Sequence, residues 1–194
     1  MFRTVTVTSA LLVIGLVMLM SVNARAQGVG AIMLHSDALA TSCNITQNPS
    51  GLVTVYVFHS FHNGVIASQF KIEDNGADFV WIADELQQSG TLNIGTTNVG
   101  GTFAYGECIT TNFNFVNVLY DTFGSSAKCS NLTVVPDPNE IDGILAAADC
   151  SSPFPLKLVA DGSELTVRCP DEVQCGRVVP VESTTWGRVK ALYE

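Results

Sequence analysis

The segment LVTVYVFHSF (residues 52–61) decides the fold class of this 194-residue chain. It is rich in β-branched and aromatic residues and follows the turn-forming sequence NPSG (residues 48–51), a combination typical of a β-strand. Apolar residues occupy both odd and even positions, so both faces of the strand are expected to be covered. The segment therefore predicts a strand at the centre of a sheet.

Further strand-like segments follow on its C-terminal side. The segments ASQFKIE (residues 67–73) and DFVWIA (residues 78–83) are separated by a turn-forming Asp-Asn-Gly sequence. The stretch from Leu92 to Gly101 is rich in Gly, Thr and Asn, which is typical of a loop or an edge strand.

Two later segments carry more specific strand signals. In NFNFVNVLYDTF (residues 112–123) the apolar alternation changes phase between Phe115 and Val116, which predicts a β-bulge or a strand covered on both sides. The segment LKLVADGSELTVRC (residues 156–169) predicts a β-hairpin. A two-residue turn at Asp161-Gly162 would place its apolar residues opposite one another on one face.

These strands predict an all-β fold. Nine or ten short strands, with no helical period over any long window, favour an antiparallel β-sandwich, and a closed barrel is the alternative. One turn of helix is expected around Ala83 to Gln88.

The N-terminal region predicts a secretory signal peptide over residues 1–26. Arg3 is followed by the apolar run from Ala10 to Met20 and by the small-residue cleavage site Ala24-Arg25-Ala26. An uncleaved membrane anchor is the alternative reading of this segment. The remainder is expected to form one β-sandwich domain (residues 27–180) and a C-terminal helical tail (residues 181–194), with no membrane span in the mature chain.

The charge balance excludes some classes of partner. Without residues 1–26 the chain keeps seven basic residues against eighteen acidic ones. Nucleic acids and anionic membrane surfaces are bound by clustered Lys and Arg, so neither is an expected partner. The predicted location is secreted, either extracellular or on the cell surface, with the periplasm as an alternative.

Cysteine usage predicts disulfide bonds. The chain has an even number of cysteines, all in the exported part, and they lack the C-x-x-C spacing of metal sites. The expected pairs are Cys108 with Cys129, Cys169 with Cys175, and Cys43 with Cys150. All six are expected to be bonded: Cys43, Cys108, Cys129, Cys150, Cys169 and Cys175.

The candidate catalytic and metal-binding residues are few. His59 and His62 are the two histidines nearest to each other in the sequence. Because residues three apart on a strand point to opposite faces, we expect them to be polar residues at the start of a turn and not a metal site or a general base. The oxygen-rich loop with Asp137, Asn139 and Asp142 resembles a calcium loop in content but misses the EF-hand spacing. No catalytic residue and no cofactor are predicted, and Ca²⁺ is the one ion with a weak candidate site.

Exposed aromatic and imidazole side chains are the candidates for ligand binding. The candidates are Tyr56, Trp81, Tyr105, His59 and His62. Trp81 alternates with Phe79, so a place in the core is the competing interpretation.

The C-terminal tail predicts a short amphipathic helix. Trp186, Val189 and Tyr193 share one face, and Arg188 and Lys190 lie near the end where the helix dipole favours cations. A helix this short is unstable alone in water. The tail is therefore expected to dock on its own domain or on a partner, such as export or surface-attachment machinery.

Two segments carry family resemblances. The segment GVIASQFKIED (residues 64–74) resembles the opening hairpin of cohesin-like sandwiches, so an immunoglobulin- or cohesin-like sandwich is expected. The tail VPVESTTWGRVKALYE (residues 179–194) resembles the ends of exported bacterial proteins that carry a W-G-x-[VI]-K-A-L-[YF] motif after a cysteine-bearing β domain. That resemblance implies a bacterial, exported and non-enzymatic protein.

Two classes of function follow. The first is a secreted, non-catalytic β-sandwich that acts as a binding, adhesion or surface-assembly module for an extracellular glycan, peptide or protein. The second is an extracellular hydrolase that uses carboxylates or histidine. A cleft with convergent, perturbed acids would distinguish the second from the first.

Overall fold

The computed structural model describes residues 30–61, 64–151, 155 and 157–169. The predicted signal peptide, the tail with Trp186, Val189 and Tyr193, and the residues His62 and Cys175 all lie outside the described residues. In the described part, no helix is long and apolar enough to cross a membrane.

The described part contains thirteen β-strands. In chain order they are β1 (Gly30–His35), β2 (Asn44–Ile45), β3 (Ser50–Phe61), β4 (Val65–Asn75), β5 (Phe79–Leu86), β6 (Leu92–Thr96), β7 (Gly100–Ile109), β8 (Phe113–Phe123), β9 (Ser130–Val135), β10 (Ala146–Ala148), β11 (Lys157–Val159), β12 (Asp161–Gly162) and β13 (Glu164–Val167).

The strands form two sheets. The first sheet has the order β12-β1-β3-β8-β5, and the second has the order β11-β10-β4-β9-β13-β2, with β7 paired to β4 and β6 paired to β7. Side chains from both sheets share one core, in which the rings of Phe70 and Phe115 lie 5.7 Å apart. The fold is therefore the predicted all-β sandwich, and the alternative of one closed sheet is wrong.

The central position predicted for residues 52–61 is confirmed. Strand β3 lies between β1 and β8 and pairs antiparallel with both. Val55, Val57 and His59 are fully buried, while the residues between them face outward as alternation requires.

The predicted β-bulge in β8 is also confirmed. Val57 pairs with Val116 but Phe58 pairs with Asn114, so Phe115 is the extra residue. Phe115 and Val116 are consecutive and both fully buried. The bulge allows two neighbouring apolar side chains to enter the core.

The predicted edge strand is confirmed in β6, whose one partner among the described strands is β7. The predicted turn of helix at Ala83 to Gln88 is wrong, because Phe79–Leu86 is a strand that pairs with β8. A helical turn of this length has little stability of its own. Pairing with β8 half-buries Leu86 against the core, with Val116 as its partner on β8.

The predicted hairpin at residues 156–169 is wrong. Strand β11 pairs with β10, β13 pairs with β9, and Asp161-Gly162 forms a short parallel ladder with β1 instead of a turn. The Gly162 backbone packs so closely that a Cβ there would lie 2.5 Å from the Val134 carbonyl oxygen. The chain crosses between the sheets at this point, and Leu165 and Val167 are buried on β13, which pairs with β9.

The three predicted disulfide pairings are wrong, although five cysteines of the described part are disulfide-bonded as expected. Cys108 bonds Cys150 and Cys129 bonds Cys169, and Cys43 is disulfide-bonded as well. The sheet order explains the pairs Cys108–Cys150 and Cys129–Cys169. Strands β7 and β10 flank β4, and β9 and β13 are antiparallel neighbours, so their ends bring these cysteines together.

Candidate binding surface

His59 and Tyr105 are core residues, contrary to their prediction as ligand-binding side chains. The Ser68 hydroxyl lies 3.2 Å from the His59 Nδ1 atom and 2.6 Å from the Tyr105 hydroxyl. Burial lowers the pKa of His59 well below its ordinary value and raises the pKa of Tyr105 far above its own. Both groups are therefore neutral members of a buried hydrogen-bonded cluster.

Of the remaining predicted recognition residues, the structure describes Tyr56 and Trp81, and it does not bring these two together. Tyr56 is half-buried on the outer face of the first sheet, where it pairs with His35. Trp81 pairs with the buried Tyr120 and packs against the core, and its indole N–H donates to Asp84 over 3.0 Å. Tyr56 and Trp81 thus belong to opposite faces of the same sheet.

The three calcium candidates have protein partners. Asp137 is buried, and its carboxylate accepts hydrogen bonds from the Asn139 backbone N–H over 2.8 Å and from Gln69 over 3.2 Å. Asp142 forms an ion pair with Lys157 at 2.8 Å. Among the described residues, no group of three or more His, Cys, Asp or Glu side chains is placed to hold a metal ion.

The outer face of the second sheet carries an apolar trough. Ala104 of β7 pairs with Ala67 of β4, which in turn pairs with Ala148 of β10. Ala146 lies in the neighbouring row, across from Gln69. We call this feature the alanine trough and define it by Ala67, Gln69, Thr102, Ala104, Ala146 and Ala148.

Small side chains make the trough concave. A methyl group rises little above the sheet, whereas the bordering side chains are longer. On one side the trough holds a cavity of about 190 Å³, bordered by Glu140, Pro155 and Lys157. Lys157 forms ion pairs with Glu140 and Asp142, which hold this wall in place, and these hydrogen bonds raise the pKa of Lys157.

The opposite wall is the edge strand β6. Leu92 pairs with Ala104, and Ile94 pairs with Thr102. These two side chains are 72% and 79% exposed. Strand β6, with the sequence LNIGT, has no charged residue, whereas exposed edge strands usually carry charges that prevent pairing with other chains. An exposed apolar edge beside an apolar trough is typical of an interaction surface.

The sequence contained a partial signal for this surface. The segment at residues 67–73 was predicted as a strand, and alternation along a strand places Ala67 and Gln69 on one face. The strand order that places Ala104, Ala146 and Ala148 beside them depends on pairings between distant segments, which local patterns do not encode.

The fold is similar to that of cohesin modules in solved structures. The sixth cohesin of scaffoldin B from Acetivibrio cellulolyticus, solved with a Cel5 dockerin mutant, is 16% identical with a TM-score of 0.50, and the match covers 74% of this chain and 99% of that one. A cohesin of Clostridium thermocellum OlpA, solved with the dockerin Doc918, is 13% identical with a TM-score of 0.49, covering 72% and 99%. A cohesin module of a Clostridium perfringens family 33 glycoside hydrolase is 12% identical with a TM-score of 0.48, covering 74% and 99%.

The described part of the chain is therefore an all-β sandwich with a cohesin-like fold. No family model matches the chain, and no curated protein matches it.

Proposed function

We propose that this chain is an exported, non-catalytic binding module that docks a protein partner on the alanine trough. The observation that carries the proposal is an apolar trough of small, partly buried side chains beside the exposed Leu92 and Ile94 of the uncharged strand β6. Apolar surfaces of this kind are the usual cores of protein interfaces. No described strand pairs with the outer edge of β6, so its backbone donors and acceptors can pair with an extended segment of the partner.

Two further observations support the proposal. The similar module from Acetivibrio cellulolyticus was solved in complex with a dockerin, a protein partner. The disulfide bonds Cys108–Cys150 and Cys129–Cys169 fit an oxidising compartment outside the cytoplasm. Among the described residues no observation supports the hydrolase alternative, since His59 is buried in the core.

The test compares partner capture by trough variants on cells or culture fluid of the producing organism. Ala67→Arg places a long charged side chain in the trough, and Ile94→Glu places a charge on its wall. Leu39→Glu is the matched control, because Leu39 is 83% exposed on a loop outside the trough. Quantitative mass spectrometry of the captured proteins is expected to show a partner bound by wild type and Leu39→Glu and reduced at least tenfold by both trough variants. Equal capture by all four proteins would contradict the proposal.

A further inference from the structure

A second cavity opens on one flank of the sandwich. Strand β4 pairs with β7 only as far as Phe70, whereas Lys71 to Asn75 pair with β9 on the other side. Beyond that point lies a cavity of about 340 Å³ between β4, β5, β8 and the turn that carries Asn98. We call it the flank cleft and define it by Lys71, Glu73, Asp74, Phe79, Trp81 and Tyr120.

Three aromatic side chains form the inner part of the flank cleft. The rings of Phe79 and Tyr120 lie 5.5 Å apart, and Trp81 is the cross-strand partner of Tyr120. Asp84 anchors Trp81 by accepting its indole N–H, and it also accepts the Thr97 backbone N–H over 2.7 Å. The aromatic wall is therefore fixed to the turn that closes the cleft.

Tyr120 is the most deeply buried of the three aromatic residues in the cleft. The residue is only 3% exposed, and it lines the cavity. Burial and the negative charges of Asp84 and Asp74 raise the pKa of Tyr120 far above its ordinary value. The hydroxyl is therefore neutral, and its oxygen can accept a hydrogen bond from an ammonium or guanidinium group.

The charged residues of the cleft have a negative excess. Lys71 forms an ion pair with Glu73 at 3.1 Å, which leaves the Asp74 carboxylate without a cationic counterpart among the cleft residues. Asp74 accepts the backbone N–H groups of Ala77 and Phe79 over 2.6 and 2.9 Å. These bonds hold the carboxylate at the mouth of the cleft, where it attracts cations and repels anions.

We propose that the flank cleft binds an organic cation, an alkylammonium or guanidinium group. Aromatic rings attract such cations through their negative faces, and nearby carboxylates supply the countercharge. The two sources of this chemistry are the side chain of a partner's Lys or Arg and a free small cation. The flank cleft shares no residue with the alanine trough. Cation binding in the cleft can therefore be tested separately from protein binding on the trough.

The test uses the indole N–H resonance of Trp81 as its probe. The chain has two tryptophans, and Trp186→Phe leaves Trp81 as the only one. Titration with choline is expected to shift the indole signal saturably, whereas its neutral isostere 3,3-dimethylbutanol binds at least tenfold more weakly. Equal binding of the two probes, or no shift with either choline or an arginine peptide, would overturn the proposal.

Exposed charge variants give the sharper control. Glu73→Gln is expected to weaken binding about threefold or more, and Lys71→Gln is expected to strengthen it, because each changes the cleft charge by one unit in opposite directions. Glu107→Gln, at an exposed position outside the cleft, should leave binding unchanged. Effects of the same sign from Glu73→Gln and Lys71→Gln would contradict a cation site.

A third comparison distinguishes the two sources of the cation. The peptide acetyl-Gly-Arg-Gly-amide and free choline are titrated into the same protein. Tighter binding of the peptide identifies a partner's side chain as the ligand, and tighter binding of choline identifies a free cation. Either result supports the site, and failure of both overturns it.

Discussion

The buried His59 makes the stability of the folded protein depend on pH. Its imidazole is fully buried and hydrogen-bonded near Ser68 and Tyr105, and burial lowers its pKa well below 6.5. The unfolded chain therefore binds a proton at this residue over a pH range in which the folded protein does not. Stability from the neutral imidazole is present above pH 6.5 and is lost as the pH falls below that value.

We expect the free energy of unfolding to fall between pH 6.5 and pH 5 by up to about 1.4 kcal/mol per pH unit for such a group. Burial also lowers the pKa of His35, which adds to the same slope. His59→Phe, which removes one titrating group, should give a shallower slope in urea denaturation experiments. A stability that stays flat across this pH range in wild type would contradict the buried neutral state.

Gly64 is a second residue whose environment makes a sharp prediction. Its φ angle is +82°, and a Cβ atom there would lie 2.9 Å from the Cys108 sulfur and 3.0 Å from the Cys150 sulfur. Gly51 has nearly the same φ, +84°, but open space around the Cβ position. The two glycines therefore separate backbone strain from contact with the disulfide.

We expect Gly51→Ala to destabilise the protein by about 1 kcal/mol through strain alone, and Gly64→Ala to cost about 1–3 kcal/mol more. Chemical denaturation of the two variants under identical oxidising conditions measures the difference. Equal losses of stability would show that the disulfide moves away from the added Cβ atom without a measurable loss of free energy.

At the scale of secondary-structure elements, Asp84 joins the edge strand β5 to the turn after β6. Its carboxylate accepts the Trp81 indole N–H, the Thr97 backbone N–H and the Thr97 hydroxyl over 3.0, 2.7 and 2.6 Å. Hydrogen bonds to a charged acceptor contribute about 1.5–3 kcal/mol each before non-additivity is considered. This one side chain therefore closes the flank of the sandwich at the flank cleft.

Asp84→Ala is expected to lower the free energy of unfolding by about 2–3 kcal/mol, because three donors lose their acceptor. Asp121→Ala on the neighbouring strand β8 is the matched control. Asp121 lies on the outer face of the sheet, and we expect its removal to change stability by less than about 0.5 kcal/mol. A similar loss from both variants would show that the bonds to Asp84 add little.

The elements also show which parts of the fold the sequence could predict. Strand β3 and the bulge at Phe115 follow from the alternation of neighbouring side chains, which is local information. The hairpin expected at Asp161-Gly162 is absent because β11 pairs with the preceding strand β10, and β13 pairs with β9, which lies several strands earlier in the chain. Disulfide pairing failed for the same reason.

The candidate site was harder to predict than the fold. Tyr105 and His59 have the residue types of a recognition surface, but the alternation of their strands turns both into the core. The alanine trough consists of residues with no chemical signature, and only the order of four strands makes them a surface. Trp81, which the sequence offered as a recognition residue, lines the flank cleft, and its part in ligand binding stays a prediction.

On the scale of the whole molecule, the tail at residues 181–194 has two proposed roles: it covers its own domain or it binds a partner. Deleting it is expected to lower the melting temperature if it docks on the sandwich, because apolar surface would be exposed. An unchanged melting temperature, with loss of the protein from the cell surface, would show that the tail serves a partner. Calorimetry and cell fractionation of the truncated protein distinguish the two roles.

The proposed function requires a protein partner to dock on the alanine trough. Hydrogen–deuterium exchange of the domain, with and without its captured partner, shows directly where the partner binds. We expect binding to slow exchange in β6 and in residues 102–104 and 146–148, and to leave β3 unchanged. Protection of the first sheet around Tyr56, with exchange in β6 unaltered, would contradict the account.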